Sequence, residues 1–280
     1  MMTKPYLHVI AGYGKTQYFL ALFILLIPIC EGCRDSKNQP VSVIGSTSIQ
    51  PFAELLAEEY QKNELVSFVD VQGGGSTAGI QALADGISDI GMCSRELTEE
   101  EKNHFTPIEI ARDGLAVVVH KSNPVNNLTL QQIQMLFSGR IQNWKELGGQ
   151  NMPVRLIMRE EGSGTREAFI NLVMKKNLVS RKALVQESNG AVKELVRYDP
   201  AAVGYMSLGL VGTELKSLAV EGVNPSAEQV SLGRYQLSRP FLFVLKTDTE
   251  PRPEARKFID YVLSDQGQKI LESEGLVRFK

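Results

Sequence analysis

The chain has 280 residues, of which 43% are hydrophobic and 22% are charged, as in a folded globular protein. This length accommodates one large domain or two ordinary ones. The formal net charge is only −2, which excludes a broad basic surface and argues against nucleic acid as a partner.

The N-terminal stretch has the layout of a secretory signal. Lys4 and Lys15 precede any acidic residue, and residues 19–29, FLALFILLIPI, form an apolar run. That run is too short to span a bilayer but has the length of a signal-peptide core. We therefore expect residues 1–32 to be a signal peptide.

Two of the three cysteines follow the apolar run directly, which is a poor basis for a disulfide framework. The pattern resembles a bacterial lipoprotein signal, in which a cysteine becomes the lipidated first residue. Cys33 follows the small residue Gly32 and is the expected site, with Cys30 as the alternative. Residues 33–40 are then a polar tether, and the protein is expected in the periplasm or on the outer face of the cytoplasmic membrane, held by a lipid anchor.

After the tether, short apolar runs alternate with amphipathic helical patterns, which is typical of α/β architecture. Pro51 suits the first turn of a helix. The continuous apolar run 115–119 is expected of a strand covered on both faces, and a pivot between two lobes is expected near 111–115. The predicted strands are residues 41–44, 66–71, 115–119, 156–158 and 241–245, and the predicted helices lie around residues 51–60, 80–84, 169–173 and 258–263.

Four turns rich in Gly, Ser, Thr or Asn stand between an apolar run and a helix, at residues 45–48, 73–76, 162–165 and 188–190. One such turn alone would be an ordinary helix cap. Several helix N-termini that converge would present unpaired N–H groups and hydroxyls to an oxyanion, at the carboxyl ends of the strands. None of the turns ends in Gly-Lys-Ser/Thr, so a nucleoside triphosphate site is not indicated.

Arg159 and two carboxylates precede the third turn, and the Arg159 guanidinium could bind two oxygens of a tetrahedral anion. Arg95 is a second candidate cation, although either arginine could instead form a surface ion pair. Phosphate carries a proton near neutral pH and sulfate does not, so one carboxylate acceptor would discriminate between them. Glu161, Glu160 and Asp89 are the candidate acceptors.

A hydrolase of phosphate esters, with Ser163 or Ser76 as nucleophile, is a remote alternative, because no histidine or lysine base lies near either serine in the sequence. His104 and His120 are too scattered for a metal site. We therefore expect no cofactor and no metal at the site.

The sequence resembles the phosphate-binding proteins of bacterial phosphate ABC transporters, from Val43 to the C-terminus. The segments that carry the likeness are VIGSTSIQP (43–51), VQGGGSTAGI (71–80), SDIGMCSRE (88–96), ARDGLAVVV (111–119), IQNWKELGG (141–149), REEGSGTREAF (159–169), GYMSLG (204–209), LSRPF (237–241) and LSDQGQKILESEG (263–275).

The resemblance implies a two-lobed periplasmic-binding-protein fold of type II, an α/β fold with the ligand in the interlobe cleft. Lobe I would comprise residues 41–113 plus 236–280, and lobe II residues 114–235. A monomeric receptor without enzymatic turnover would bind inorganic phosphate and deliver it to the permease subunits of an ABC transporter. Receptors for sulfate or molybdate, and a phosphate-sensing module, are the alternatives.

The resemblance also implies a ligand set, within which Glu161 pairs with Arg159. Some family members have an aspartate where this chain has Arg95, and that aspartate accepts the phosphate proton. Arg95 could therefore touch the ligand or close the cleft. With Ser94 and Arg95 added from the segment SDIGMCSRE, the predicted phosphate ligands are Ser46, Thr47, Ser48, Ser76, Ser94, Arg95, Arg159, Glu161, Ser163, Gly164 and Thr165.

Overall fold

The computed structural model describes residues 39–63 and 68–279, all within one compact unit. The predicted signal peptide, both candidate lipidation sites and most of the tether lie outside the described residues. No helix within the described ranges combines the length and the apolarity that crossing a bilayer requires.

Strands and helices alternate along most of the described chain, as the apolar periodicity predicted. The strands are β1 Val41–Gly45, β2 Val69–Gly73, β3 Ile90–Cys93, β4 Phe105–His120, β5 Asn127–Leu128, β6 Arg155–Arg159, β7 Leu184–Gln186, β8 Ala202–Ser207, β9 Leu215–Ser217, β10 Ala219–Val220, β11 Ser238–Lys246 and β12 Val277–Arg278. The α-helices are α1 Gln50–Asn63, α2 Ser76–Ala84, α3 Glu99–Lys102, α4 Leu130–Phe137, α5 Gly164–Phe169, α6 Asn189–Tyr198, α7 Ala227–Ser231, α8 Pro253–Leu263 and α9 Asp265–Ser273.

The main sheet has the order β2-β1-β3-β11-β4-β8-β6-β7. Its two ends are parallel groups, β2-β1-β3 and β8-β6-β7. The central strands β11 and β4 pair antiparallel with each other and with their outer neighbours. The carboxyl ends of each parallel group therefore form an edge at which a ligand can bind.

The buried apolar side chains form two main cores, one for each lobe. The first lobe packs α1 and α8 against its parallel strands, through side chains such as Phe52 and Phe258. The second lobe contains the fully buried Phe137, Phe169 and Trp144. This arrangement confirms the two-lobed α/β fold that the sequence predicted.

The chain passes between the two cores along β4 and β11. On β4, Ala111 belongs to the first core and Leu115 to the second. On β11, Leu237 belongs to the second core and Phe241 to the first. The expected pivot near 111–115 is thus the middle of one continuous strand, because β4 keeps its pairing with β11 through this region.

Most of the predicted elements are present with shifted ends. Pro51 lies in the first turn of α1, and each of the four polar turns directly precedes a helix. The strand expected at 66–71 is observed from Val69 to Gly73, and residues 64–67 lie outside the described part. Trp144 is fully buried, and its Nε1 donates to the carbonyl of Ala201 over 2.9 Å.

Candidate functional site

The N-termini of α1 and α2 in the first lobe meet those of α5 and α6 in the second. The backbone N–H of Thr77 on α2 donates to the carbonyl of Gly162, in the turn before α5, over 3.1 Å. The amide Nδ2 of Asn189 on α6 donates to Ser48 Oγ, just before α1, over 2.8 Å. Because helix N-termini carry unpaired N–H groups and partial positive charge, their convergence favours an anion.

A cluster of buried hydroxyls fills this junction, and we refer to Ser46, Ser48, Ser76, Ser94 and Thr165 as the hydroxyl cluster. Each is at most 2% exposed. Within the first lobe, Ser46 Oγ donates to Ser94 Oγ over 2.9 Å, and Ser76 Oγ lies 3.4 Å from the same oxygen. Across the cleft, Ser48 Oγ lies 2.7 Å from Thr165 Oγ1. The structure thus brings together five of the predicted ligand residues.

Arg159 enters the same junction from the carboxyl end of β6 and is only 1% exposed. Its Nη2 donates to Thr47 Oγ1 over 3.0 Å and to Glu160 Oε1 over 2.8 Å, and Nε donates to Glu160 Oε2 over 2.8 Å. The carbonyls of Gln186 and Glu187 accept further bonds. Its Nη1 is buried and has no hydrogen-bond partner among the described residues. This nitrogen is a charged donor still available to a ligand.

Tyr205 helps to hold the end of β6 in place. Its ring stacks on Phe169, with centroids 4.0 Å apart and planes 3° apart. Burial raises the pKa of Tyr205 to about 12, so the phenol stays neutral at physiological pH. Its oxygen accepts the backbone N–H of Arg159 over 3.2 Å, which anchors the residue that carries the guanidinium.

The predicted carboxylate partner of Arg159, Glu161, was wrong by one position in the sequence. Glu160 pairs with the guanidinium, whereas the Glu161 side chain is 93% exposed and lies 3.6 Å from Arg166. The reason is local, because the chain leaves β6 and makes a tight turn through Gly162 at φ +80°. Glu161 lies in that turn and is directed to solvent, so it is not placed to accept a proton from a buried ligand.

Asp89 is also ruled out as a proton acceptor in the cleft. Its carboxylate accepts the backbone N–H of Ser42 over 2.9 Å and lies 3.4 Å from Arg252. Ser42 is near the start of β1, whereas Ser46 follows its end. Asp89 therefore lies at the amino edge of the parallel strands, opposite the hydroxyl cluster.

Arg95 is 5% exposed, and its guanidinium is occupied by carboxylates. Nη1 and Nη2 donate to Glu101 over 2.7 and 2.9 Å, and Nε lies 2.6 Å from Glu167 of α5. Glu101 belongs to the first lobe and Glu167 to the second. Of the two roles left open by the sequence, these contacts favour closure of the cleft over contact with a ligand.

Ser163 and Gly164 shape the N-terminus of α5. Ser163 is its N-cap and accepts the backbone N–H of Arg166 over 3.3 Å. At Gly164, an added Cβ would lie 2.2 Å from Ser76 Oγ and 2.7 Å from Ser94 Oγ. Glycine is therefore required here for the two lobes to approach this closely.

Two buried polar residues on the crossing strands were missed as site residues. Arg239 on β11 and Asp113 on β4 are opposite each other in register, and both are at most 2% exposed. Arg239 Nε and Nη2 donate to Asp113 Oδ2 over 3.1 and 2.9 Å. Burial raises the pKa of Asp113, and the adjacent guanidinium opposes that rise. An arginine directly before the apolar run PFLFVL (240–245) was the available signal, since a buried arginine requires a partner.

Asn189 is a third buried polar residue of the cleft that was not among the predicted ligands, although the turn at 188–190 was among the four predicted polar turns. Its Oδ1 accepts the backbone N–H of Ser207 over 3.1 Å while Nδ2 bonds Ser48. The side chain is 2% exposed, so α6 contributes a buried donor to the cleft in addition to its backbone.

The arrangement suits binding of an oxyanion better than catalysis. Hydroxyls and a guanidinium supply donors, and no histidine or lysine contacts the cluster serines within the described contacts. No group of three or more His, Cys, Asp or Glu residues in the described part could hold a metal ion. The fold and this cleft together define a two-lobed solute-binding protein.

Comparison with known proteins identifies the family to which the chain belongs. Residues 34–266 match the model of the PBP superfamily domain. A phosphate-binding protein PstS from Borreliella burgdorferi is 27% identical over 94% of this chain and 99% of its own length. The chain belongs to the PBP superfamily and, within it, to the PstS-like substrate-binding proteins of phosphate ABC transporters.

Two solved structures share the fold at substantial identity. A phosphate ABC transporter substrate-binding protein from Clostridium perfringens, solved with bound phosphate, is 39% identical with a TM-score of 0.83, over 86% of this chain and 100% of that one. An ABC-type phosphate transport receptor from Vibrio cholerae is 38% identical with a TM-score of 0.72, over 85% and 100%.

Proposed function

We propose that this protein binds inorganic phosphate outside the cytoplasmic membrane and delivers it to an ABC permease for import. The observation that carries the proposal is the buried Nη1 of Arg159, a charged donor without a partner among the described residues. The same guanidinium donates through Nη2 to Thr47, which lies between Ser46 and Ser48 of the hydroxyl cluster. Such a donor is costly to bury unless a ligand accepts its hydrogen bonds. The names of the similar proteins, which are phosphate-binding and phosphate transport receptors, support this choice of anion.

The ligand set proposed for phosphate follows the structure. Arg159 and the hydroxyl cluster bind the anion, together with Thr47 and the N-terminus of α5 at Ser163 and Gly164. Arg95 acts by closing the cleft, and Glu160 holds Arg159. The proposed lobes divide at 113/114 and 235/236. The first boundary lies between Ala111 of the first core and Leu115 of the second, whereas on β11 the core changes a few residues after the second boundary, between Leu237 and Phe241.

We propose a binding protein without enzymatic turnover. Ser76 Oγ accepts the backbone N–H of Ser94, and Ser163 Oγ accepts that of Arg166, so each candidate nucleophile contacts a donor rather than a base. An activated serine requires an adjacent base. The relatives named above are binding proteins, which supports the same conclusion.

The proposed location is the outer face of the cytoplasmic membrane or the periplasm. A lipid on Cys33, with Cys30 as the alternative, would anchor a monomer that works beside its permease. The apolar run and the cysteines that follow it support this part of the proposal.

Isothermal titration calorimetry of the folded chain with phosphate, arsenate, sulfate and molybdate tests the proposed function. We expect one phosphate per chain, and much weaker binding of sulfate. Preferential binding of sulfate or molybdate would identify that anion, and not phosphate, as the ligand of the protein. No binding heat or tryptophan-fluorescence change with any of the four would refute the anion site itself.

A further inference from the structure

Arg239 lies where the two crossing strands meet the hydroxyl cluster. Two of its nitrogens bond Asp113, whose other oxygen, Oδ1, accepts Ser207 Oγ over 2.9 Å. The remaining nitrogen, Nη1, donates to Thr165 Oγ1 over 2.7 Å and to the carbonyl of Ser94 over 3.2 Å. Arg239 therefore links Thr165 of the second lobe to Ser94 of the first lobe.

The amide of Asn189 has a fixed orientation. The backbone N–H of Ser207 can only donate, so the atom that it contacts must be the amide oxygen. The other end of the amide, Nδ2, consequently faces Ser48 Oγ at 2.8 Å and donates to it.

These two contacts determine the direction of two hydroxyl groups. Neither a guanidinium nor an amide nitrogen can accept a hydrogen bond, so Thr165 Oγ1 and Ser48 Oγ are the acceptors in them. The two oxygens lie 2.7 Å apart, and one can donate to the other. At least one of the two protons is therefore directed elsewhere, and an anion in the cleft can accept it.

We propose that Arg239 and Asn189 are positioning residues of the anion site, which act through Thr165 and Ser48 by making these hydroxyls donors, and that Asp113 holds Arg239 in place. This inference rests on the proposed function. A site whose hydroxyls are fixed as donors favours the dianion of phosphate, because the monoanion carries one more proton that needs an acceptor.

The cations that face the cluster are each paired with a carboxylate. The ligand's own second ionisation, which falls near neutral pH, therefore dominates the pH dependence of binding between about pH 6 and about pH 8.5. The charged groups around the cluster are Arg159 with Glu160, Arg239 with Asp113, and Arg95 with Glu101 and Glu167.

The test compares phosphate affinity at about pH 6 and about pH 8.5 in four proteins. The first is the double variant Arg239→Met with Asp113→Asn, which leaves no unpaired charge buried. In this variant the Thr165 hydroxyl no longer accepts a hydrogen bond from Arg239 and is free to accept one from the ligand. Arg239→Lys retains a cationic donor. Arg112→Met, next to Asp113 on β4, is the matched control, since Arg112 is 42% exposed and pairs with Glu109. Wild type is the reference.

For the double variant we expect a loss of affinity of more than about tenfold at the higher pH and a smaller loss at the lower pH. Arg239→Lys should recover most of the affinity, and Arg112→Met should match wild type. Unchanged affinity, an equal loss at both pH values, or no recovery with lysine would overturn the proposal, because a merely structural role would not alter the pH profile.

Asn189→Ala gives an independent measurement if the double variant does not fold. It should also weaken binding more at high pH than at low pH, and an unchanged or pH-independent affinity would contradict the role of Asn189. If wild type binds phosphate while these variants do so equally well, only this inference fails. If wild type does not bind phosphate, the proposed function fails as well.

Discussion

Arg95 and Glu167 connect the two lobes, with the guanidinium Nε 2.6 Å from the carboxylate Oε2. Arg95 follows β3 in the first lobe, and Glu167 lies on α5 in the second. Glu167 also accepts a hydrogen bond from Thr77 Oγ1 of the first lobe over 3.4 Å. This carboxylate therefore makes both of its described contacts across the cleft, and it should stabilise the closed form.

Glu167→Gln should weaken anion binding by about 1 kcal/mol, roughly fivefold, because Glu167 is partly exposed and its ion pair is screened by solvent. The loss should appear mainly as faster dissociation, since the closed form is destabilised. Stopped-flow measurement of phosphate release tests this. Glu161→Gln is the matched control in the same segment and should leave the rate unchanged; equal rates in all three proteins would argue against an interlobe role.

Arg159→Ala should weaken phosphate binding by about 2 to 5 kcal/mol, because it removes a buried charged donor that no other described residue replaces. Calorimetry measures the effect. Arg155→Ala is the matched control at the other end of β6, where the arginine is 57% exposed and pairs with Asp199. An affinity of Arg159→Ala equal to that of the control would remove Arg159 from the site.

Gly164→Ala should abolish tight binding while the protein remains folded. The new methyl group would lie 2.2 Å from Ser76 Oγ, so the lobes could not close, although the helical backbone at residue 164 tolerates alanine. Gly190→Ala is the control, since its Cβ would meet nothing closer than 3.7 Å. Small-angle scattering with and without phosphate should show compaction for the control and none for Gly164→Ala.

The stability contribution of Glu101 should depend on pH in the acid range. Hydrogen bonding to Arg95 holds the pKa of Glu101 below its ordinary value of 4.5. A depressed carboxyl pKa stabilises the fold fully above the unfolded value, and that stabilisation is lost as pH falls through the folded value. Urea unfolding of wild type and Glu101→Gln should therefore differ most near neutral pH and converge below about pH 4. A difference that stays constant with pH would contradict the pairing.

Cys33→Ser should release the protein from the membrane into the soluble fraction, because multiple acyl chains are what hold a lipoprotein firmly. Fractionation and immunoblotting of cells that express each variant measure this. Persistence of the Cys33→Ser protein on membranes would indicate Cys30 or an uncleaved segment, and Cys93→Ser, whose cysteine is buried in the fold, is the control.

Local patterns in the sequence were sufficient for much of the fold. Helical spacing after Pro51 predicted α1, and the four polar turns were correctly placed before helices, because capping and turn preferences depend on neighbouring residues. The prediction that Glu161 pairs with Arg159 was wrong, and Glu160 is the partner. Which of these two adjacent carboxylates meets the guanidinium depends on the residue at which β6 ends and the turn begins. The end residues of helices and strands are determined less by local sequence pattern than the presence of the helix or strand itself.

By itself, the sequence determined which residue types could bind an anion, namely Arg159 and the hydroxyls at helix starts, since those properties are carried by the residues and their immediate neighbours. Only the tertiary structure decided how they combine. Arg239 meets Asp113 across 126 positions through the register of β4 and β11, and Ser48 meets Thr165 across 117 through closure of the lobes. Contacts of this kind depend on strand order and lobe packing, which no local pattern specifies.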